Sequence, residues 1–331
     1  MVDINEVAEN IFMIDDQLYS IPKWGSVYLI NEEKKALVES GPATSARIVI
    51  DGIRSIGVLP EDIAYIIVTH IHLDHAGGAG VLLKDMPQAQ VVVHHRGARH
   101  LVNPGKLVSS VVEAQGKEAM ARCGEVVPIK QGRVQPVSDG DTIRLGDKQV
   151  LMFFDAPGHA PHELCIYESR NQGLFTGDAV AVSLSEGEVF LPFQPPPDFD
   201  LEQNDNTIRK LMEVQAKAIY YSHFGVSNKV EEDLQLAIDK LQVWHSIVVQ
   251  SINEGTFDRV AEKLIAQARA ELEPLKKIEP LYDYVANIHL PLVVAGHIKY
   301  YQEKEGASVI SWRKGESNQR KRRKLPGVSQ N

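Results

Sequence analysis

The sequence predicts an α/β fold, namely an αββα sandwich of two packed sheets with helices on both outer faces, followed by a C-terminal helical extension. Through residue 230, pairs of short apolar, β-branched segments alternate with segments of helical spacing. Histidine and aspartate residues follow several of these strand segments directly. From residue 231 onward the spacing is mainly helical. Strand pairs that alternate with helices suit packed sheets covered by helices.

The first part of the chain alternates strands with helical segments. Apolar runs bounded by turn residues predict strands over 10–14, 26–30, 35–39, 64–69 and 90–94. Helical spacing predicts helices over 43–56, 80–84 and 98–122.

The second part contains two predicted hairpins and then helices. Strands over 142–145 and 149–154 flank a Gly-Asp turn, and strands over 163–168 and 173–176 flank an Arg-Asn turn. Helices are predicted over 231–253, 256–267 with Thr256 as N-cap, and 291–304, before a short strand over 307–312.

These patterns predict three regions. We expect residues 1–230 to form the sandwich and residues 231–313 to form either a helical cap or a winged-helix-like extension, of which we favour the cap. Residues 314–331 are polar, include the basic run Arg320–Lys324, and are expected to form a disordered tail.

Composition narrows the function classes. The chain has 331 residues, is 44% hydrophobic and carries a formal net charge of −9, which argues against nucleic acid or an anionic membrane as a partner. Its two cysteines lie in no CxxC pattern, and the N-terminus lacks the pattern of a signal peptide. We therefore expect a cytoplasmic protein that acts on a small molecule, with a homodimer left open.

The segment from Thr69 to Gly78 is the richest in functional side chains. His70, His72, Asp74 and His75 lie within six positions and directly follow a predicted buried strand. Imidazole and carboxylate are ligands of zinc, iron and manganese. The Gly-Gly pair at the end of the segment permits a sharp turn. This spacing therefore indicates a metal site at a strand end.

The pattern His70-x-His72-x-Asp74-His75 resembles the signature of the metallo-β-lactamase superfamily. The superfamily also places a histidine after Pro-Gly, an aspartate after Thr-Gly and a last histidine at a strand end, in that order. This sequence has His159 after Pro-Gly, Asp178 after Thr-Gly, and His223 in Tyr-Tyr-Ser-His-Phe-Gly. The resemblance covers about the first 230 residues.

The resemblance implies a site for two divalent ions. One ion would be held by His70, His72 and His159, and the other by Asp74, His75 and His223, with Asp178 as the bridge. Zinc is the first choice of metal, with iron or manganese as alternatives. Asp74 would also be catalytic, because it could orient the activated hydroxide or carry its proton.

Several neighbouring residues have weaker assignments. Glu39 stands where the family usually has aspartate, and could steady a histidine through a longer side chain. Thr69 and Thr176 could do the same through their hydroxyls, and His162 could reach the site as a donor. Five loop aromatics could overhang the metals or fold back onto the sandwich: Tyr19, Trp24, Phe190, Phe193 and Phe199.

The expected function is that of a metal-dependent hydrolase. A hydroxide activated by two metals would attack a small carbonyl substrate, such as an ester, thioester, lactone or lactam, as in hydroxyacylglutathione hydrolases and lactonases. A phosphodiesterase or ribonuclease could use the same site, and the basic tail favours it. A ligand-binding or signalling protein with slow residual hydrolysis is a third hypothesis. A mononuclear iron dioxygenase is disfavoured, since it would not need Asp74, His75 and His223 together.

Overall fold

A computed structural model describes residues 2–305. Its first sheet has seven strands in sequential order. The first four strands pair antiparallel, and the later strands pair parallel to their predecessors because helices connect them. The strands are β1 (Ile4–Ala8), β2 (Ile11–Asp15), β3 (Ser26–Ile30), β4 (Lys35–Val38), β5 (Ile63–Ile67), β6 (Gln90–His94) and β7 (Val134–Val137).

Helices cover the outer face of this sheet. They are α1 (Ala46–Ser55), the short α2 (Leu73–Ala76) and α3 (Ala79–Leu82), α4 (His95–Val102) and α5 (Gly105–Cys123). On the central strand β5, Ile66 faces these helices and packs in one core cluster with Val49 and Ile53 of α1. Its neighbour Ile67 belongs to a different cluster, on the opposite face of the sheet. This alternation fits a strand that is buried on both faces.

A second sheet has six strands in the spatial order β15-β14-β11-β10-β9-β8, beside a two-stranded hairpin of β12 and β13. The ranges are β8 (Thr142–Arg144), β9 (Val150–Asp155), β10 (Leu164–Glu168), β11 (Gly173–Phe175), β12 (Val182–Leu184), β13 (Val189–Leu191), β14 (Ala218–Tyr220) and β15 (Val226–Ser227). Ile67 and Tyr28 of the first sheet share one buried cluster with Phe153, Ile166 and Phe175 of the second. The two sheets therefore pack face to face.

The remaining helices cover the outer face of the second sheet. They are α6 (Leu201–Met212), α7 (Val230–Asn253), α8 (Val260–Arg269), α9 (Glu279–Tyr284) and α10 (Leu290–Glu305), with a π-helical turn at Val285–His289. Leu234, Leu241 and Trp244 of α7 lie in one core cluster with Leu174 and Ile219 of the second sheet. The αββα sandwich with C-terminal helices is therefore confirmed.

The helices from residue 230 onward also reach the loops of the sandwich. The Gly296 backbone approaches Gln194 so closely that a Cβ there would lie 1.8 Å from its carbonyl oxygen. His297 Nε2 is 3.1 Å from Gln194 Oε1. The division at residues 230 and 313 stays a prediction, and both the strand expected over 307–312 and the tail 314–331 lie outside the described residues.

The structure differs from some sequence expectations. The helix expected over 98–122 is interrupted twice. Pro104 fixes its own φ and disfavours the helical conformation at Asn103, which separates α4 from α5, and Gly116 (φ 86°, ψ 172°) kinks α5. Thr256 occupies the N-cap position of a 3₁₀ turn (Phe257–Arg259) that leads into α8, but its hydroxyl makes no capping hydrogen bond and donates back to the Ser251 carbonyl (3.5 Å). The predicted ranges do not include strands β1, β7, β12, β13, β14 and β15 or helices α2, α6 and α9.

No helix within residues 2–305 combines the length and apolar character that crossing a membrane requires.

We predict that the buried face of α7 contributes strongly to stability. Leu234 is fully buried, whereas Leu236 on the same helix is 38% exposed. Leu234→Ala should lower the free energy of unfolding by about 2–5 kcal/mol, and Leu236→Ala should change it by less than about 0.5 kcal/mol. Urea denaturation measures both, and equal losses would contradict the packing of α7 against the second sheet.

Candidate metal centre

The loop after β5 carries the densest group of candidate ligands. Strand β5 ends at Ile67, and the chain then passes through His70 and His72 before α2 starts at Leu73. Asp74 and His75 therefore lie in the first turn of that short helix. Gly78 follows, and a Cβ there would lie 2.7 Å from the Ser40 carbonyl oxygen. Glycine thus lets this loop pack directly against the segment that follows β4.

The other three candidate ligands follow strands of the second sheet. His159 comes after β9, Asp178 after β11, and His223 after β14. Strands β11 and β14 are parallel neighbours, so their carboxyl ends meet at one edge of the sheet. The Thr69 carbonyl accepts the Leu164 amide (2.8 Å), which joins the ligand loop of the first sheet to β10 of the second. Loops from both sheets therefore converge on one place.

His70, His72, His159 and Asp178 form the first cluster, with one possible ligand atom from each within 4.8 Å of all the others. His72 Nδ1 is 2.9 Å from both His70 Nε2 and His159 Nε2. Burial lowers the pKa of His72 to about 3 and that of His159 to about 4. Both imidazoles are therefore neutral at pH 7, which is the form that binds a metal.

Asp74, His75 and His223 form the second cluster, within the same limit of 4.8 Å. Asp74 Oδ2 is 3.9 Å from Nε2 of both histidines. Asp178 lies between the two clusters: Oδ2 is 3.2 Å from His75 Nε2 and 3.5 Å from His159 Nε2, and Oδ1 is 3.5 Å from His223 Nε2. All seven predicted ligands thus come together, with Asp178 in the bridging position.

The donor atoms of this centre fit a pair of divalent cations. Within residues 2–305, both carboxylate oxygens of Asp178 and Nε2 of His75 and His223 are buried with no hydrogen-bond partner. Burial alone would raise the pKa of Asp178, but the neighbouring histidines, His75 and His223 foremost, hold it well below its usual range. A buried carboxylate with free lone pairs is costly unless a cation satisfies it. The residues therefore suit metal ions better than an empty polar cavity.

Glu39 supports the second cluster, as the sequence suggested. Its Oε1 lies 3.0 Å from His75 Nδ1 and accepts hydrogen bonds from the hydroxyls of Thr69 (2.6 Å) and Ser222 (2.7 Å). Glu39 also has a φ of 71°, in the left-handed region, which is costly for a residue with a side chain. One carboxylate thus connects three segments and orients one candidate ligand.

The two threonines differ in role. Thr69 Oγ1 lies 3.1 Å from His70 Nδ1, so its hydroxyl contacts a candidate ligand as expected. Thr176 Oγ1 is buried and has no hydrogen-bond partner among the described residues, so the corresponding expectation for Thr176 is wrong. Its carbonyl instead accepts the Cys165 thiol at 3.5 Å.

Backbone carbonyls orient two further histidines. His159 Nδ1 donates to the Phe193 carbonyl (2.6 Å), and His223 Nδ1 donates to the Trp24 carbonyl (3.2 Å). These bonds leave Nε2 of each ring directed at the centre.

Glu163 was missed by the sequence reasoning. It is buried at the start of β10, and its Oε1 accepts the Asp178 amide (2.6 Å) and lies 3.7 Å from His70 Nδ1. Burial, more than the nearby Asp178 carboxylate, raises its pKa well above the usual range. The sequence feature that could have identified Glu163 is an acidic residue four positions after His159, at the start of an apolar strand segment.

Four of the five loop aromatics are buried, and two of them lie beside candidate ligands. Trp24, Phe190, Phe193 and Phe199 are all buried in the core cluster that includes the C-terminal helices. The Trp24 ring lies 4.5 Å from the His223 ring, and the Phe193 ring lies 5.1 Å from the His159 ring. His162 stacks on His70 at 6.3 Å but belongs to neither cluster of candidate ligands.

Comparisons with known proteins agree with this geometry. Residues 24–223 match the family model of the metallo-beta-lactamase superfamily. The chain is 26% identical over 228 residues to the metallo-beta-lactamase fold-containing protein ST1585 of Sulfurisphaera tokodaii, covering 67% of this chain and 82% of that protein. The crystal structure of ST1585 superposes with a TM-score of 0.60.

Two other similar proteins extend the comparison. The structure of TTHA1429, a metallo-beta-lactamase family protein of Thermus thermophilus, superposes with a TM-score of 0.62 at 19% identity. The superposition covers 91% of this chain and 96% of the TTHA1429 chain. An N-acyl homoserine lactonase of Bacillus sp is 28% identical over 180 residues, which is 54% of this chain and 61% of the lactonase.

The residues matched by the family model include every one of the seven converging side chains, from His70 to His223. The chain therefore belongs to the metallo-beta-lactamase superfamily.

Proposed function

We propose that this protein is a metal-dependent hydrolase that uses two divalent ions to cleave a small carbonyl compound: an ester, thioester, lactone or lactam. The observation that carries the proposal is the position of Asp178, whose two oxygens lie within 3.5 Å of histidines from both clusters. Such a carboxylate can partly neutralise two dications held close together.

The other six candidate ligands would form two sets around Asp178. His70, His72 and His159 would hold one ion, and Asp74, His75 and His223 the other. When bound, two divalent ions activate water at neutral pH and polarise the oxygen of the scissile group. Asp74 and His72 are the two partly exposed candidate ligands, and 16% of the Asp74 side chain is accessible. Its free carboxylate oxygen can therefore accept a proton from the attacking water and pass it to the leaving group.

Two observations support a carbonyl substrate. The chain is similar to an N-acyl homoserine lactonase over about half its length. The rings of Trp24 and Phe193 also place apolar surface beside the centre, which suits a small organic substrate. No lysine or arginine of residues 2–305 forms an ion pair with Asp74 or Asp178, whose ionic contacts are all with histidines, whereas a phosphodiester substrate would favour nearby cations.

Zinc is our first choice of metal, with iron and manganese as alternatives, because all seven donors are nitrogen or oxygen. The cytoplasmic location, the lack of a nucleic-acid or membrane partner, and the open question of a homodimer stay predictions from composition.

A substrate panel tests the proposed function. Protein purified without chelator and analysed for metal should hydrolyse at least one of 4-nitrophenyl valerate, S-acyl thioesters, γ-lactones or a β-lactam, and should lose that activity when its metal is removed. Faster cleavage of bis(4-nitrophenyl) phosphate would favour the phosphodiesterase alternative. If the metal-containing protein turned over every compound no faster than the metal-free protein does, the binding or signalling alternative would be favoured.

We predict that single ligand substitutions remove metal and activity together. His72→Ala and Asp178→Ala should each lower kcat by more than about 100-fold, since even residues that only orient ligands cost 10–100-fold. Both should lower the metal content measured by plasma mass spectrometry. The control is His95→Ala, because His95 is exposed and contacts Ser138 instead. Full activity with unchanged metal in either ligand variant would refute the assignment.

We also predict a specific effect of Glu39. Glu39→Gln removes the negative charge that faces His75 and replaces one acceptor oxygen with an NH2 donor, although both oxygens of Glu39 accept hydrogen bonds. The affinity for one of the two ions should fall about 10–100-fold, as measured by competition with a chromogenic chelator. Glu32→Gln is the control, since Glu32 pairs with Arg170 away from the centre. Equal affinities in the two variants would show that Glu39 does not support the metal site.

A further inference from the structure

Among the buried ring nitrogens near the metal centre that have no hydrogen-bond partner within residues 2–305, two belong to residues beside His223 that are not candidate ligands. They are Trp24 Nε1 and His289 Nε2, whose residues are 1% and 3% exposed. Trp24 lies in the loop between β2 and β3, and His289 ends the π-helical turn before α10. The sandwich and the C-terminal helices thus contribute one unpaired nitrogen each.

The two rings lie together and next to a candidate ligand. Their centroids are 5.1 Å apart with nearly perpendicular planes. The Trp24 ring is 4.5 Å from the ring of His223, and Phe193 contacts both His289 (4.5 Å) and His223 (5.0 Å). The pair therefore adjoins the second metal cluster.

The position of Trp24 is fixed from several sides. Its carbonyl accepts the hydrogen bond from His223 Nδ1, and its ring lies 5.4 Å from that of Tyr284 in α9. Tyr284 in turn lies 5.6 Å from Tyr19. A firmly held tryptophan cannot turn its N–H away to find another partner, so the partner must come to it.

Buried tryptophan and histidine nitrogens normally have hydrogen-bond partners, and π-helical turns occur frequently at functional sites. An unpaired buried nitrogen does not by itself indicate a substrate contact, as His297 shows. It also has an unpaired buried nitrogen, Nδ1, but its ring packs on Phe199 and Trp244, and its Nε2 pairs with Gln194. By contrast, the rings of Trp24 and His289 lie beside the reactive centre.

We propose that Trp24 and His289 bind an uncharged acceptor oxygen of the substrate that lies outside the scissile group. The tryptophan N–H can only donate, and a neutral imidazole can present its own N–H to the same oxygen. The nearby rings of Phe193 and Tyr284 suit an apolar chain. This inference rests on the proposed function, and it narrows the substrate to an acyl compound that carries a second carbonyl or ether oxygen on an apolar chain.

Hydrolysis of two esters that differ mainly by one oxygen tests the proposed roles of Trp24 and His289. 4-Nitrophenyl levulinate differs from 4-nitrophenyl valerate mainly by a keto oxygen on the acyl chain. The preference for levulinate, expressed as a ratio of kcat/KM values, should fall about 3–10-fold in His289→Phe and in Trp24→Phe, which is the effect of one neutral hydrogen bond. Metal content should not change, and His289→Gln should restore part of the preference because its amide N–H reaches a similar position.

His297→Phe is the control for general disturbance of the C-terminal helices, and it should keep the wild-type ratio. The inference is overturned if His289→Phe and Trp24→Phe also keep that ratio. It is overturned as well if His297→Phe lowers the ratio equally, because the effect would then come from helix packing.

A binding measurement separates this inference from the proposed function. Hexanamide carries a carbonyl oxygen on an apolar chain and resists hydrolysis. Calorimetry should show that it binds the wild-type holoprotein with a Kd about 3–10-fold lower than that of His289→Phe. A protein that hydrolyses no compound of the panel but shows this difference would lack the proposed function and keep the anchoring pair. The inference would be overturned if wild type bound no hexanamide or if the two Kd values were equal. It would also be overturned if an ordered water were the only molecule found at the two ring nitrogens.

Discussion

The structure depends on one buried carboxylate that is surrounded by imidazoles. Asp178 is 1% exposed, and its oxygens approach histidines from both sides without a hydrogen-bond partner in the described chain. A charge in such a position would destabilise the fold if it remained uncompensated. Positive charge at this point would offset that cost, and the two proposed metal ions would supply it while leaving the histidines neutral. On the proposed function, the same atoms that hold the metal for catalysis would also make metal binding part of the stability of the fold.

Both sheets are needed to assemble this arrangement. The first sheet provides the loop after β5, and the second provides the residues after β9, β11 and β14. Glu39 connects these parts, because its carboxylate contacts Thr69 and His75 of one loop and Ser222 beside His223. Its left-handed backbone conformation is a local cost, and strain of this kind is tolerated where the surroundings hold a functional group in place. The face-to-face packing of the sheets thus assembles each of the two clusters, since each takes residues from both sheets.

The sequence predicted much of the centre, since its ligands lie in short motifs after apolar strands. His70 to His75 lie within six positions after a predicted strand, and His159 and Asp178 follow predicted strands, whereas His223 is indicated by the family resemblance alone. Glu163 and His289 could not be assigned in this way, because their roles arise from packing between segments distant in the chain. Helix α6 was missed because its polar run gives little apolar periodicity, although Asp200 caps it by accepting the Gln203 amide. The short β12–β13 hairpin was missed because each of its strands has only three residues.

Anomalous diffraction from crystals of the protein purified without chelator tests the central claim most directly. Data collected at the zinc, iron and manganese absorption edges locate each ion independently of activity. The account predicts two anomalous peaks, one contacted by His70, His72 and His159 and one by Asp74, His75 and His223, with an oxygen of Asp178 touching each. A single peak, or an Asp178 carboxylate that contacts neither ion, would contradict it.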